Sequence, residues 1–273
     1  MNTPSITQMD GFDRLTLWFD RSELPVSKSL LSAHCARIVL QAAQPKYHCN
    51  RKLKLSVFQP TAKFLQILLR GVDREVGVEI AYAEVARDIV LSDPHENEYL
   101  QAAFLASAQV VRLRQRVVFS GNTAYYGRRP PQERGHVLVL YADKPSKLNN
   151  ARPHASAQRC VHVEWRASGK AALAAIGIAS LEDVLNFDYD HHWNDCLKLH
   201  NLPSKTALGK KLAALCAGKA NASEPAYLKR ANQWLTKYTL NEQFVLQNAL
   251  RDMPELARRL KRYTWNEWLD AYT

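Results

Sequence analysis

The chain has few of the residues and segments that define several common protein classes. Its 273 residues include only 10 glycines and 12 prolines, which excludes a collagen-like or low-complexity composition. The five cysteines are odd in number and scattered, so a disulfide framework is not expected. No segment approaches the roughly 20 apolar residues that span a bilayer, and the first residues lack a secretory signal pattern. We therefore expect a globular, cytoplasmic protein without a membrane partner.

Several enzyme signatures are also missing. The sequence contains no Walker loop, no GxGxxG, no HExxH and no GxSxG segment. Nucleotide hydrolysis, dinucleotide-dependent dehydrogenation and serine-elbow hydrolysis therefore have no motif behind them.

Acidic residues are scarce in one stretch of a basic chain. The formal net charge is +11, and residues 111–170 contain 12 lysines and arginines against 3 acidic residues. A second basic block, residues 198–273, follows an acidic spacer at 171–197. Basic blocks of this kind are typical of proteins that bind a polyanion, because each Lys or Arg near a phosphate releases condensed counterions. This favours nucleic acid as the partner over a solvated basic face that serves solubility alone.

The hydrophobic pattern predicts an α+β fold: an antiparallel β-sheet flanked by helices, followed by a small basic all-helical C-terminal region. We place the first domain at 1–200 and the C-terminal region at 201–273. Helices are expected at 60–71 and 96–113, and the SGNT segment at 120–123 predicts a hairpin turn. Alternating or β-branched segments predict strands at 13–20, 51–59, 76–91, 115–127, 136–144 and 160–167.

Strand phase brings acidic residues onto common faces. In the strand at 76–91, Glu84 and Asp88 share one face, and in the strand at 160–167 His162, Glu164 and Arg166 share one face. If both strands lie in one sheet, Asp88, Glu84, Glu164 and His162 converge on a divalent cation, for which oxygen ligands favour Mg²⁺ or Mn²⁺. The alternative is that these carboxylates lie on a solvated face of the sheet.

Tyr141 ends the apolar run of the strand predicted at 136–144 and is close in sequence to Lys144 and Lys147. A tyrosine beside a metal and basic groups can attack a phosphodiester and form a covalent phosphotyrosine with release of a 3′-hydroxyl. The alternative for a strand tyrosine is a packing role.

Four segments occur in a fixed order: EVARDIVL, NTAYYGRR, HVLVLYADKPSK and CVHVEWRASGKAAL. Together they resemble the replication initiation proteins of rolling-circle plasmids and filamentous phages, the replication initiation factor family. The resemblance covers about residues 50–200. It implies an antiparallel sheet with flanking helices, and a cytoplasmic protein of a bacterial host that nicks one strand of origin DNA for rolling-circle replication.

The resemblance also implies roles for individual residues. Tyr141 is the expected nucleophile, with Tyr125 and Tyr126 as alternatives, and Lys144 is its basic companion. Asp88 and Glu164 are expected metal ligands with Glu84 close by, and His162 is either a ligand or a phosphate contact. The expected partners are single-stranded or hairpin origin DNA and a host helicase, and a homodimer is an allowed assembly. The expected DNA contacts are Arg128, Arg129, Arg166 and Lys147.

Three function classes remain open at this stage. The first is a metal-dependent, site-specific DNA endonuclease and strand transferase. The second is a non-catalytic DNA-binding protein, such as a repressor or a replication accessory factor. A third class, a protein-interaction module that uses the basic helices, predicts that the arginines of 111–170 are dispensable.

Overall fold

The structure, a computed structural model, describes most of the chain. The described residues are 6–43, 50–72, 77–127, 135–146, 148, 159–201, 217, 226, 229, 233, 244–252 and 260–272.

Within the described residues, eight strands form one large antiparallel sheet, which confirms the predicted fold class. The strands are β1 (Ile6–Phe19), β2 (Arg37–Ala42), β3 (Leu53–Phe58), β4 (Val78–Leu91), β6 (Val118–Ser120), β7 (Thr123–Tyr126), β8 (Gly135–Pro145) and β9 (Arg159–Ser168). Their spatial order is β2-β3-β1-β4-β9-β8-β7-β6, and each pair of neighbours is antiparallel. The two long strands β1 and β4 therefore lie side by side within the sheet, next to β9.

The described helices are short. They are α1 (Lys28–Ser32), α2 (Ala62–Gly71), α3 (Asn97–Ser107), α4 (Lys170–Ala175), α5 (Leu181–Leu185), α6 (Tyr189–Cys196), α7 (Leu246–Asp252) and α8 (Trp265–Tyr272). Helix α2 agrees with the helix predicted at 60–71, and the Thr61 hydroxyl accepts a hydrogen bond from the Phe64 N–H at its start. No helix in the described part of the chain is long and apolar enough to cross a membrane.

The described chain divides into two compact units. The first extends to Asn97 and resumes from Val118 to His192, and it contains the large sheet. The second comprises 98–117 and the described residues from Trp193 onward. The predicted domain boundary near residue 200 stays a prediction, because 202–216 and most of 218–243 lie outside the described residues.

The large sheet has one apolar face and one polar face. Leu15, Leu17, Val85, Val163 and Trp165 lie on the apolar face and are fully buried. Alternation along the strands turns their neighbours to the opposite side. That opposite side carries the predicted acidic residues, and we call it the site face.

The second unit contains a small antiparallel sheet built from β5 (Ala108–Val110), β10 (Leu197–Asn201) and β11 (Lys261–Tyr263), in the order β11-β10-β5. An aromatic cluster fills its core: the Trp265 ring centroid lies 5.9 Å from Phe104, 5.8 Å from Trp193 and 6.2 Å from Trp268. Trp265 and Trp268 are buried, so both are core residues.

Two amide side chains of α7 hold the segment that follows β5. Gln247 Oε1 accepts from the Val110 N–H at 2.8 Å, and Gln247 Nε2 donates to the Leu113 carbonyl. Asn248 Oδ1 accepts from the Val117 N–H at 2.8 Å. We call these three hydrogen bonds the amide clamp. These hydrogen bonds satisfy backbone groups at the end of β5 and in the segment that follows it. Within the described residues, that segment has no strand partner after Val110.

Local patterning was wrong about some elements. The amphipathic pattern of 181–200 predicts a helix, but the segment is divided into α5 and α6 and ends in β10, where Leu197 and Leu199 are buried and pair with distant strands. β11 is a three-residue strand inside the region expected to be all-helical. Strand β2 was not predicted. These strands depend on long-range pairing, which a local pattern does not report.

Candidate metal and nucleophile site

The register of β4 and β9 brings the predicted residues together on the site face. Asp88 lies opposite His162, and Glu84 lies opposite Arg166. Glu164 is two residues from both His162 and Arg166 on β9, so all five side chains share one side of two adjacent strands. The predicted strand phase agrees with this register.

His162 lies between two carboxylates. Its Nδ1 is hydrogen-bonded to Asp88 Oδ1, and its Nε2 lies 3.1 Å from Glu164 Oε2. The Ser146 hydroxyl donates to the other Asp88 oxygen. His162, Asp88 and Glu164 are all buried, so water does not compete for these contacts.

A third acidic residue, Asp13, joins this group and was not predicted as a site residue. Single ligand atoms of Asp13, His162 and Glu164 all lie within 4.8 Å of one another, and the three residues are buried. We call these three residues the acid–histidine cluster. Asp88 and Glu84 are not members of it, although both were predicted to be ligands.

A β-bulge explains how Asp13 reaches the site face. The pairing of β1 with β4 shifts register between Phe12 and Arg14, so Asp13 is the extra residue. Arg14, its neighbour in sequence, is also on the site face, where its Nη2 lies 3.0 Å from Glu84 Oε1. Strict alternation would send consecutive residues to opposite faces, whereas a bulge re-aims a side chain. The sequence offered no sign of the bulge.

Gln59 holds the bulge from the end of β3. Its backbone N–H donates to the Asp13 carbonyl at 3.0 Å, and its Nε2 donates to Asp13 Oδ1 at 2.5 Å. Gln59 has a φ of 46°, in the left-handed region that side chains other than glycine rarely adopt. The two hydrogen bonds to Asp13 accompany this unusual backbone conformation.

Glu84 belongs to a second network beside the cluster. It accepts a hydrogen bond from the Tyr82 hydroxyl, and Arg166 Nε lies 3.6 Å from Glu84 Oε1. Arg166 also donates to Glu164. Burial, followed by the charge of Glu164, raises the pKa of Glu84 to about 7. Arg166, predicted as a DNA contact, thus links two carboxylates within the site.

The pKa values of the cluster follow from its hydrogen bonds. Burial alone would lower the pKa of His162, but its hydrogen bonds to Asp88 and Glu164 raise it to about 9. Burial alone would raise the pKa of Glu164, but the hydrogen bond from His162 and the charge of Arg166 lower it to about 2. Arg166 and a proton on His162 therefore both compensate these buried carboxylates, and a bound cation would take the place of that proton.

Tyr141 packs directly against the cluster. It lies opposite His162 in the β8–β9 register, and the two rings stack with centroids 4.6 Å apart. Exposed Lys144 follows an irregularity in β8, and its Nζ lies 4.9 Å from the Tyr141 ring centroid. The side chain of Tyr141 is buried, with 4% exposure, and packs with Val137 and Val139.

The two alternative tyrosines lie on different faces. Tyr125 is opposite Val139 and packs against the apolar group of Val137, Val139 and Tyr141. It is half-buried on the site face. Tyr126 is opposite Leu138 on the other face and is fully buried. Of the two, Tyr125 shares the face of the acid–histidine cluster. The predicted DNA contacts Arg128, Arg129 and Lys147 lie outside the described residues.

The donor set of the acid–histidine cluster fits a divalent cation. Two carboxylates and one imidazole nitrogen are buried together, and the 3.1 Å separation of His162 Nε2 and Glu164 Oε2 lets both contact one ion. Carboxylates suit Mg²⁺ and Mn²⁺, and the imidazole favours the transition metal. Asp88, bonded to the far nitrogen of His162, stands where an outer carboxylate orients a ligand histidine.

Comparisons with known proteins give a limited result. No protein-family model matches the chain, and no curated protein has a significantly similar sequence. Among solved structures, the chain is similar to the rolling circle replication initiator protein from Geobacillus stearothermophilus, with a TM-score of 0.40 and 12% sequence identity. The alignment covers 73% of this chain and 89% of that chain. A likeness of this size carries no conclusion about chemistry.

Proposed function

We propose that the protein is a metal-dependent DNA strand transferase that nicks one strand of origin DNA through Tyr141 and thereby initiates rolling-circle replication. One observation carries the proposal: the Tyr141 ring stacks on His162, a member of the buried acid–histidine cluster. A nucleophile candidate and a cation site thus adjoin on one face of one sheet. The basic stretch at 111–170 supports a polyanionic substrate.

In the proposed reaction, Tyr141 Oη attacks the scissile phosphorus. A bond forms between this oxygen and phosphorus, the bond from phosphorus to the 3′-oxygen breaks, the phenolic proton leaves to solvent, and the 3′-oxygen takes a proton from solvent. The product is a 5′-phosphotyrosine with a 3′-hydroxyl primer. The phosphorus is still in a phosphodiester, now with tyrosine in place of the 3′-oxygen. A later hydroxyl can therefore attack it and reverse the step.

The protein residues would position the reactants. Asp13, His162 Nε2 and Glu164 would hold Mn²⁺ or Mg²⁺, which when bound supplies Lewis-acid polarisation of the phosphate. Asp88 would fix the orientation of His162 through Nδ1. Lys144, beside the Tyr141 ring, would stabilise the negative charge that develops on the phosphate. Glu84, bound by Arg14 and Arg166, would act outside the ligand set.

A direct test uses labelled single-stranded DNA that carries the replicon's origin region. Wild-type protein with Mn²⁺ is expected to form a protein–DNA adduct that survives denaturation, and EDTA or Tyr141→Phe is expected to abolish it. Tyr125→Phe and Tyr99→Phe serve as controls and are expected to retain the adduct, since Tyr99 is exposed and outside the site. An adduct that persists in Tyr141→Phe and disappears in Tyr125→Phe would reassign the nucleophile.

The burial of Tyr141 favours a second candidate, a non-catalytic DNA-binding protein. A phenol with 4% exposure meets a phosphate only after neighbouring side chains move. In this alternative, wild-type and Tyr141→Phe proteins bind DNA with the same salt-sensitive affinity, and neither forms an adduct. The helicase partner and the homodimer stay predictions.

A further inference from the structure

A large groove opens on the site face of the sheet, within the first unit. Its volume is about 1040 Å³, and its walls come from β1, β3, β4, the start of β8, the end of β9 and the start of α4. Small-molecule pockets measure about 300–1,000 Å³, so the groove lies just above that range. It suits a chain-like ligand better than a small metabolite.

The described lining of the groove is strongly basic. It includes four cationic side chains and one carboxylate, Glu79. Arg51 pairs with Glu79 and Arg14 pairs with Glu84, which leaves an excess of positive charge at Lys54 and Lys170. The four cations are Arg14, Arg51, Lys54 and Lys170. A concave surface of one sign of charge concentrates ligands of the opposite sign.

Aromatic rings in the groove hold the cations in place. The Arg14 guanidinium lies 4.4 Å from the Tyr82 ring centroid. Arg51 and Lys54 lie 5.6 and 5.7 Å from the Trp18 ring centroid. Cation–π contacts of this kind restrict long side chains that would otherwise lose rotamer entropy on binding. The charged groups are thus partly ordered before a ligand arrives.

A relay of ion pairs connects the groove with the candidate site. Arg14 lines the groove and bonds Glu84 at 3.0 Å, Glu84 lies 3.6 Å from Arg166 Nε, and Arg166 donates to Glu164 of the acid–histidine cluster. A ligand that contacts Arg14 in the groove would therefore lie three side-chain contacts from the acid–histidine cluster. This arrangement is expected for a site that binds the part of a substrate beside the reacting bond.

We propose that this groove binds the sugar–phosphate backbone of the single DNA strand that flanks the scissile phosphate. The proposal rests on the proposed function for the identity of the strand. Single-strand binding proteins combine a positive groove that follows the backbone with aromatic side chains near the bases. A duplex offers a stiff, convex rod with its bases stacked inside, which enters a concavity of this volume less readily than a single strand.

The test measures DNA binding without chemistry. Binding of a fluorescent oligo-dT to the full chain in EDTA is followed by anisotropy over a range of salt concentrations. Lys54→Ala and Lys170→Ala are compared with Lys63→Ala, which removes an exposed lysine on α2 outside the groove lining. Each groove substitution is expected to reduce the salt slope by about 0.7 and to weaken binding roughly fivefold at 0.1 M salt. Lys63→Ala is expected to match wild type.

Three results would overturn the proposal. If both groove variants bind like wild type, the groove does not contact phosphates. If Lys63→Ala weakens binding as much as Lys54→Ala, the effect is general electrostatics. The same conclusion follows if the groove substitutions weaken binding of duplex DNA of equal length as much as binding of oligo-dT. The two proposals can fail separately. If wild-type protein forms no covalent adduct but the groove variants lose affinity as expected, the nicking reaction is refuted and the groove assignment stands.

Discussion

Replacement of Asp88 by asparagine separates an orienting role from a ligand role. Asp88 is expected to act on the cation through His162, since its Oδ1 contacts Nδ1 and Ser146 occupies the other oxygen. Asparagine keeps the size and one acceptor oxygen but removes the charge. Loss of an outer carboxylate costs about 10–100-fold in metal affinity. Each factor of ten corresponds to about 1.4 kcal/mol.

Because asparagine retains the acceptor, we expect Asp88→Asn to weaken Mn²⁺ binding about tenfold, the lower end of the range for loss of an outer carboxylate. Asp13→Asn removes a donor of the acid–histidine cluster itself, and it is expected to weaken binding more than Asp88→Asn. Electron paramagnetic resonance of free Mn²⁺ during a titration measures the Mn²⁺ dissociation constant of each variant. Circular dichroism confirms that the variants fold. Asp20→Asn, at an exposed position, is the matched control.

The opposite ranking would refute this reasoning. If Asp88→Asn abolishes Mn²⁺ binding while Asp13→Asn binds like wild type, Asp88 is the ligand and the bulge has no part in the cation site. Equal, unchanged binding in both variants would place any cation elsewhere.

Three further predictions concern stability. Ser180 caps α5 in a capping box, so Ser180→Ala is expected to lower the free energy of unfolding by about 1 kcal/mol, and Ser180→Gly by only a few tenths, in urea denaturation. Trp265 is 1% exposed in the second unit, so Trp265→Ala is expected to cost about 3–5 kcal/mol, visible as a lower thermal midpoint of that unit. Burial, with the charge of Glu164, raises the pKa of Glu84 from 4.5 to about 7, so the folded state binds more protons than the unfolded state between these values. Stability in EDTA should therefore fall as pH rises through this interval, and Glu84→Gln should remove that part of the pH dependence; an unchanged profile would contradict the shift.

Much of the sheet could be predicted because its strands carry local signals. The β-branched and alternating runs indicated β1, β3, β4, β8 and β9, and strand phase placed Asp88, Glu164 and His162 on one face. The SGNT segment correctly indicated the hairpin between β6 and β7, where Gly121 has a φ of 57°. These features depend on side-chain period and turn chemistry, which neighbouring residues determine.

The membership of the acid–histidine cluster could not be predicted in the same way. Asp13 joins it because β1 has one extra residue relative to β4, and Gln59 from another strand holds that bulge. Asp88, predicted as a direct ligand, contacts His162 Nδ1, and its role as a ligand stays a prediction. Whether a carboxylate on the correct face reaches the ion or its ligand depends on distances of a few ångströms, which strand phase does not determine.

The amide clamp has a consequence for how the chain is made. Val110 and Val117 are separated from Gln247 and Asn248 by 137 and 131 residues. At about 5–20 residues per second, the ribosome adds the second half of each bond roughly 7 to 27 seconds after the first. Until then, β5 can pair with β10, but the Val110 and Val117 N–H groups and the Leu113 carbonyl lack the side chains that satisfy them. The second unit can be completed only after α7 has emerged, and a nascent chain that stalls before it would present this segment to chaperones or proteases.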